Sequence, residues 1–364
     1  MKKHNIFISI LVILSPYFLY TRNSITSLRS GRLGDSVLIL SKTLLFAKKY
    51  GLEFLYTPLP GLEHLAIDTT EKKYTEQKQK EFKRRKHITT SKEFTNHLIA
   101  NDNILYVTTI HSNLDIESPL WPINTRNDYK HDYPAEGIFE YAVEHPEFLQ
   151  KLKKLLTPIK KINKLTLPAD KITIAIHVRH PSGTDSQLLS IQQYDNPIEN
   201  NESTKERIIY ADKIWPLKFP PDQYYINQIK KLSHLLGNSP LYVHIFTDDK
   251  NPDALMHRYK KALNMNNISF GCVQKNGDMI DDLFNMMDFD CIIASLSHFA
   301  WTAQLLGNHK IIINPIGWQW HGQILHIDQT KIMLPDREFH KVVQYRFDGD
   351  VLHLRDQVLA ALAM

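Results

Sequence analysis

At 364 residues the chain exceeds the ~250–300 that one hydrophobic core usually supports, so two domains are expected. Its 43% hydrophobic and 23% charged residues exclude a disordered or fibrous protein, and a scattered net charge of +5 suits an anionic ligand or membrane face but not a nucleic-acid surface. With only Cys272 and Cys291, a disulfide framework and a zinc site are excluded; both lie in apolar runs that read as strands, so buried, reduced thiols in a reducing compartment are expected.

Lys2 and Lys3 precede an apolar run from Ile6 to Tyr20, broken by Ser9, Ser15 and Pro16. As a helix it would reach ~22 Å, short of the ~30 Å hydrocarbon core. Residues 1–23 read first as an uncleaved membrane anchor or interfacial segment, which makes the protein membrane-associated. A cleaved signal and an element buried in the fold are the alternatives. Ser24–Leu28 reads as a strand, followed by the turn Ser30-Gly31-Arg32-Leu33-Gly34-Asp35. A helix is predicted over Ser36–Tyr50, with Val37, Leu40, Leu44 and Ala47 on one face and Gly51 as its stop. Glu71–Glu93 is crowded with Lys and Arg; a solvated helix or loop is the plain reading, a membrane- or acceptor-facing patch the other. Ile104–Thr109 reads as a strand, and Phe139–Leu156 carries helical spacing interrupted by Pro146.

A polar stretch at Lys160–Asp170 divides a domain of residues 24–165 from one of 166–345, with 346–364 as a C-terminal helix. After it, strands are predicted at Ile172–Val178, Leu241–Thr247, Ile268–Val273, Asp290–Ala294 and Lys310–Asn314. Helices alternate with them at Pro221–Leu236, Pro252–Leu263, Asp281–Met287 and His298–Leu306. Such alternation of apolar strands and helices implies an α/β fold with a parallel sheet covered on both faces. Ligands then bind at the carboxyl ends of the strands. The polar insertion Gln187–Lys213 reads as a loop over that edge.

Three polar clusters fall at those strand ends. In His177-Val178-Arg179-His180 the first and third residues project from one face of a strand, where an imidazole and a guanidinium can hold a phosphate; a structural ion-pair network is the equal alternative. Thr247-Asp248-Asp249 offers paired carboxylates for an arginine, a ribose or a helix cap, with a metal ion the least favoured use. Asp281-Asp282 leads to a strand ending in Ser295-Leu296-Ser297 before a helix that begins at His298-Phe299. That places backbone N–H groups at a positive helix terminus, a site for a diphosphate, though plain capping by Ser297 also explains it.

Together these clusters resemble the superfamily of α1,2- and α1,6-fucosyltransferases and protein O-fucosyltransferases. His177-Val178-Arg179-His180 is similar to the family's strand-borne H-x-R-R, with His180 for the second arginine. Thr247-Asp248-Asp249 resembles the second motif; Asp282 with Ser297-His298-Phe299-Ala300-Trp301 resembles the third, His298 replacing a serine. Gly31-Arg32-Leu33-Gly34-Asp35 looks like the family's Gly-x-x-Gly-Asn turn with Asp35 for Asn, and Asn314-Pro315 with Trp318 is similar to the closing strand of the α1,2 group.

The resemblance implies a GT-B-like fold, two Rossmann-like domains facing a cleft. It further implies inverting, metal-independent transfer of fucose from GDP-fucose to a glycan or other hydroxyl acceptor, with no cofactor besides the donor. Donor-binding residues by this likeness are Gly31, Gly34, Asp35, His177, Arg179, Asp248, Asp249, Asp282, Ser297, His298 and Phe299. Arg179 would stabilise the leaving diphosphate, Asp282 would accept from guanine, and Asp185 is the candidate general base. Another nucleotide sugar, a non-catalytic nucleotide or glycan binder, and a membrane-surface scaffold using Glu71–Glu93 are the rival readings.

Overall fold

The structure, a computed structural model, describes residues 23–27, 32–87, 104–108, 135–180, 216–274, 277–321 and 324–364. The apolar N-terminal run, Gly31, Asp185 and the insertion at 187–213 lie outside them. Among the described residues no helix is long and apolar enough to cross a membrane.

The first half builds a small parallel sheet in the order β2-β1-β4-β3, from β1 (Ser24–Ser27), β2 (Glu53–Phe54), β3 (Arg84–His87) and β4 (Ile104–Thr108). Helix α1 (Leu33–Tyr50) crosses over from β1 to β2 and starts three residues before the predicted start. Asp35 accepts from the Arg32 backbone N–H at 3.1 Å, closing the first turn, and Gly51 stops the helix in the left-handed region (φ 62°). Leu33, Val37, Leu38, Ile39 and Leu40 are all buried, so α1 is covered on every side rather than half solvated.

The second half forms a seven-stranded sheet. Its parallel part starts in the middle at β5 (Ile172–Val178) and steps outward through β6 (Leu241–Thr247) to β7 (Ile268–Cys272). It then returns to the other side of β5 as β8 (Cys291–Ala294) and ends at β9 (Ile311–His321). This is the doubly wound, Rossmann-type order, and the chain reverses between β5 and β8. Two helices precede it, α2 (Ala135–Glu144) and α3 (Pro146–Leu155), the latter with Pro146 in its first turn, where a missing N–H costs nothing. Helices α4 (Asp222–Leu235), α5 (Pro252–Leu263), α6 (Met279–Met286) and α7 (His298–Leu306) alternate with the strands within a residue or two of prediction.

One part of the sheet departs from the sequence reading. β9 runs on past the predicted Asn314 and pairs antiparallel with β10 (Ile324–Asp336), which pairs with β11 (Lys341–Arg346). Pro315 and Pro335 argue against strands, but Pro315 lies beyond the last residue of β9 that pairs with β8, so its missing N–H interrupts nothing on that side. The terminal helix is shorter than expected, α8 (Arg355–Ala363). Of the two cysteines, Cys291 is buried in β8, whereas Cys272, expected to be buried, is half-exposed at the end of β7.

The expected boundary at residues 160–170 separates the sheets but not their cores. One continuous core joins Leu33, Val37 and Leu40 of α1, Ile138 and Leu152 of the following helices, and Ala300 and Leu305 of α7 to one face of the second sheet at Ala175, Phe246, Ile292 and Ile312. The opposite face, with Ile174, Ile176, Val243 and Ile245, packs under α4, α5 and α8. At ~1.5–3 kcal/mol for each buried aliphatic side chain, the shared core is what holds the halves together.

The halves meet backbone to backbone at Gly34. A β-carbon built there would stand 2.4 Å from the Phe299 nitrogen and 2.5 Å from the His298 carbonyl carbon, both backbone atoms. A side chain at this place must push α1 and α7 apart. We expect Gly34→Ala to destabilise the chain by at least ~1–3 kcal/mol, read as a lowered denaturation midpoint; an unchanged midpoint would show that the two helix starts do not touch.

Candidate functional site

Parallel strands deliver their carboxyl ends, and the starts of the helices that follow, to one edge of the second sheet. At the reversal between β5 and β8 that edge carries His177, Ser295, Ser297 and the start of α7. Two adjacent tyrosines of α4 pin it from behind. Tyr225 Oη donates to the His177 carbonyl at 3.0 Å and Tyr224 Oη donates to the Ala294 carbonyl at 3.1 Å, so one helix turn fixes both strand ends that flank the crevice. The sequence reading missed these tyrosines, which look like ordinary core residues at helical spacing.

His177 is buried, its Nδ1 lies 3.2 Å from Ser295 Oγ, and its ring tilts against Phe299 with centroids 5.7 Å apart. Burial, aided by the Arg179 charge, depresses its pKa to about 3. The imidazole is therefore neutral at physiological pH and acts as a hydrogen-bonding group, not a cation. Ser297 caps α7, its Oγ accepting from the Phe299 N–H at 3.3 Å.

Arg179 follows β5 and Asp248 follows β6, and the register that pairs Val178 with Thr247 makes these two the next neighbours. The guanidinium donates through Nη1 to Asp248 Oδ2, with the Arg179 side chain only 10% exposed. Asp248 Oδ1 also accepts from the His180 N–H at 2.7 Å, and His180 Nε2 stands 3.2 Å from Asp249 Oδ2. The second cluster thus binds the first. Asp249 also accepts from the Asn251 N–H at 2.8 Å, and the cap of α5 is Asn251, which accepts from the Ala254 N–H.

The α1 turn closes on the same place. With Gly34 against the backbone of α7, the Asp35 carboxylate reaches His298 Nδ1 at 2.5 Å. Burial raises the Asp35 pKa, but the His298 bond and charge, the Arg32 N–H and the Lys218 cation outweigh it, and the net shift is downward. Lys218 enters from the segment before α4, where the Leu217 carbonyl accepts from the Leu296 N–H at 2.9 Å. The sequence reading missed it because nothing local marks it. Two helix starts and a cation thus surround one carboxylate, the electrostatics of an anion site.

Asp282 stands apart from that cluster, in the first turn of α6. Asp278 caps this helix, accepting from the Ile280 and Asp281 N–H groups. Burial, with Asp281 and Asp278 beside it, raises the Asp282 pKa to about 6. Among the described residues no donor reaches its carboxylate, so it is open to a ligand that donates.

No family model and no curated protein matches the sequence. Among solved structures the chain is similar in fold to a FUT1 variant of Arabidopsis thaliana in complex with GDP, at 12% identity over 80% of this chain and 70% of that one, with a TM-score of 0.47. It is also similar to POFUT1 in complex with GDP-fucose (12% identity, 80% and 97% covered, TM-score 0.39). The fucosyltransferase NodZ from Bradyrhizobium is a third (13% identity, 80% and 94% covered, TM-score 0.33).

Asp35 and Asp282 should respond to pH with opposite signs. A folded pKa below the ordinary 3.8 means that Asp35 stabilises the fold above that value and that the gain is lost as pH falls through it. A folded pKa of about 6 means that Asp282 costs nothing below 3.8 and destabilises increasingly up to pH 6. At pH 7, Asp35→Asn is expected to lower the melting temperature and Asp282→Asn to raise it. Melting curves at pH 4 and 7 separate the two, since the Asp282 difference is largely gone at pH 4 while the Asp35 difference persists there and is lost only as the pH falls below 3.8.

Proposed function

We propose that the chain is a glycosyltransferase that moves fucose from GDP-fucose to a hydroxyl acceptor. The observation that carries this reading is the convergence at the β5–β8 reversal. There a neutral His177, the Ser295–Ser297 segment and the start of α7 meet the start of α1, in the arrangement that the motif resemblance assigns to a diphosphate. A nucleoside diphosphate laid across α7 would take the Phe299 end of the helix as its anion cradle and compete with Asp35 for His298 and Lys218. Asp282, open and able to accept, suits the donor groups of a guanine.

Transfer separates charge. As the bond between sugar and β-phosphate breaks, negative charge builds on the leaving GDP and positive charge on the sugar. Arg179 is held in place by Asp248, so its position is set before the substrate arrives and no reorganisation is needed as the bond breaks. In this proposal the protein's own cations serve the leaving group and no metal ion is required. The acceptor hydroxyl loses its proton as the new bond forms, and Asp185, outside the described residues, is the proposed base. A second reading is favoured by the same ion pair: a non-catalytic nucleotide binder, in which Asp248 has claimed the guanidinium for the fold.

Titration with GDP, UDP and ADP sugars tests the donor. GDP at about 100 times its dissociation constant should stabilise the chain by ~2.7 kcal/mol, and the uridine and adenine compounds by less. Arg179→Ala should lower turnover about 10²–10³-fold with GDP binding largely kept. Binding without turnover over a panel of acceptors selects the second reading; no effect of any nucleotide overturns both.

A further inference from the structure

The net charge that the sequence reading left scattered is gathered on one edge of the first sheet. Residues 71–87 hold eight lysines and arginines against three glutamates, so this segment alone carries +5, the whole net charge of the chain. Three of its cations are engaged by nearby carboxylates: Lys72 pairs with Glu53, Lys73 with Asp68 and Lys78 with Glu81. Among the described residues no carboxylate stands within ion-pair distance of Lys80, Lys83, Arg84, Arg85 or Lys86.

Arg84, Arg85 and Lys86 belong to β3, the outermost strand of its sheet among the described residues. Successive side chains of a strand turn to opposite faces, so these cations fan out on both sides of the edge instead of converging on one point. Lys80 and Lys83, in the turn ahead of β3, are exposed, as are Arg84 and Arg85. The segment is fixed to the fold. Tyr74 and Phe82 pack against Leu55, Leu105 and Val107, and all four residues of β3 pair with β4. A spread of fixed, exposed cations suits an extended anionic surface better than a single small anion.

The start of β1 identifies that surface. The register sets Ser24, Leu105 and Arg85 in one row across the sheet, which puts Ser24 two strand spacings, about 10 Å, from the basic edge. The chain leading into β1 is the apolar run from Ile6 to Tyr20, behind Lys2 and Lys3. An apolar segment and a polybasic patch are the two signals that together hold a protein on a lipid surface. A nucleic acid or a soluble polyanion would engage the cations and leave the apolar run without a partner. We propose that β3 and the turn ahead of it dock on an anionic phospholipid surface. This assignment does not depend on the transferase reading.

The test mixes the full chain with vesicles of phosphatidylcholine alone, or with about 30% phosphatidylglycerol added, and reads the bound fraction by sedimentation. The anionic vesicles should be preferred, and raising the salt from about 0.05 to 0.3 M should remove most of the preference. Replacing Lys83, Arg84 and Arg85 together by Gln should weaken binding to the anionic vesicles about 10²-fold and leave binding to the neutral ones unchanged. If that variant does not fold, Lys80→Gln with Lys83→Gln takes its place, with a loss of about tenfold expected. The proposal is overturned if the chain binds both kinds of vesicle alike, or if the folded variant keeps the preference. It is also overturned if heparin or duplex DNA binds the chain and anionic vesicles do not.

Discussion

Where α1 meets α7, the first turn of one helix lies against the first turn of the other, and only a missing β-carbon allows it. Both helices follow strands of their own sheets, so each arrives with unpaired N–H groups and a positive end. Bringing two such ends together is unfavourable unless something negative sits between them. Asp35 fills that need by joining the Arg32 N–H to the His298 ring. Gly34 sets how near the helices come, and the carboxylate beside it makes the closeness tolerable.

That junction explains why the site lies at a seam. The core under α1 and α7 is continuous with one face of the second sheet, so the two sheets are not free bodies joined by a linker. A ligand bound there touches groups from both halves, and any anion that binds replaces a charge the protein already supplies. The resting structure is thus occupied by its own carboxylate, which the proposed diphosphate would have to displace with more charge and more hydrogen-bond acceptors.

The two half-buried carboxyl environments show how place, rather than residue type, decides behaviour. Asp35 is drawn down by a histidine, a lysine and a backbone donor. Asp282 is pushed up by burial among other carboxylates. His177, in the same crevice, is kept neutral by burial and by the repulsion of the neighbouring guanidinium charge. The resulting site has neutral and charged groups side by side, and their states follow from which helix or strand end each one occupies.

The amino-acid sequence by itself determined the parallel α/β architecture of the second half, because continuous apolar strands alternating with capped helices admit few other solutions. It also located Ser297 as a helix cap and placed His177, Arg179 and Asp248 at strand ends, since period-two spacing and capping are local properties. It left β10 and β11 unread, because prolines at 315 and 335 carry a local signal against strands that pairing overrides. Only the tertiary structure decided that Asp248 takes Arg179, that Asp35 takes His298, and that Tyr224 and Tyr225 tie two strand ends. Each of these joins residues far apart in the chain, and no local pattern encodes which distant surface a side chain will meet once the core has closed.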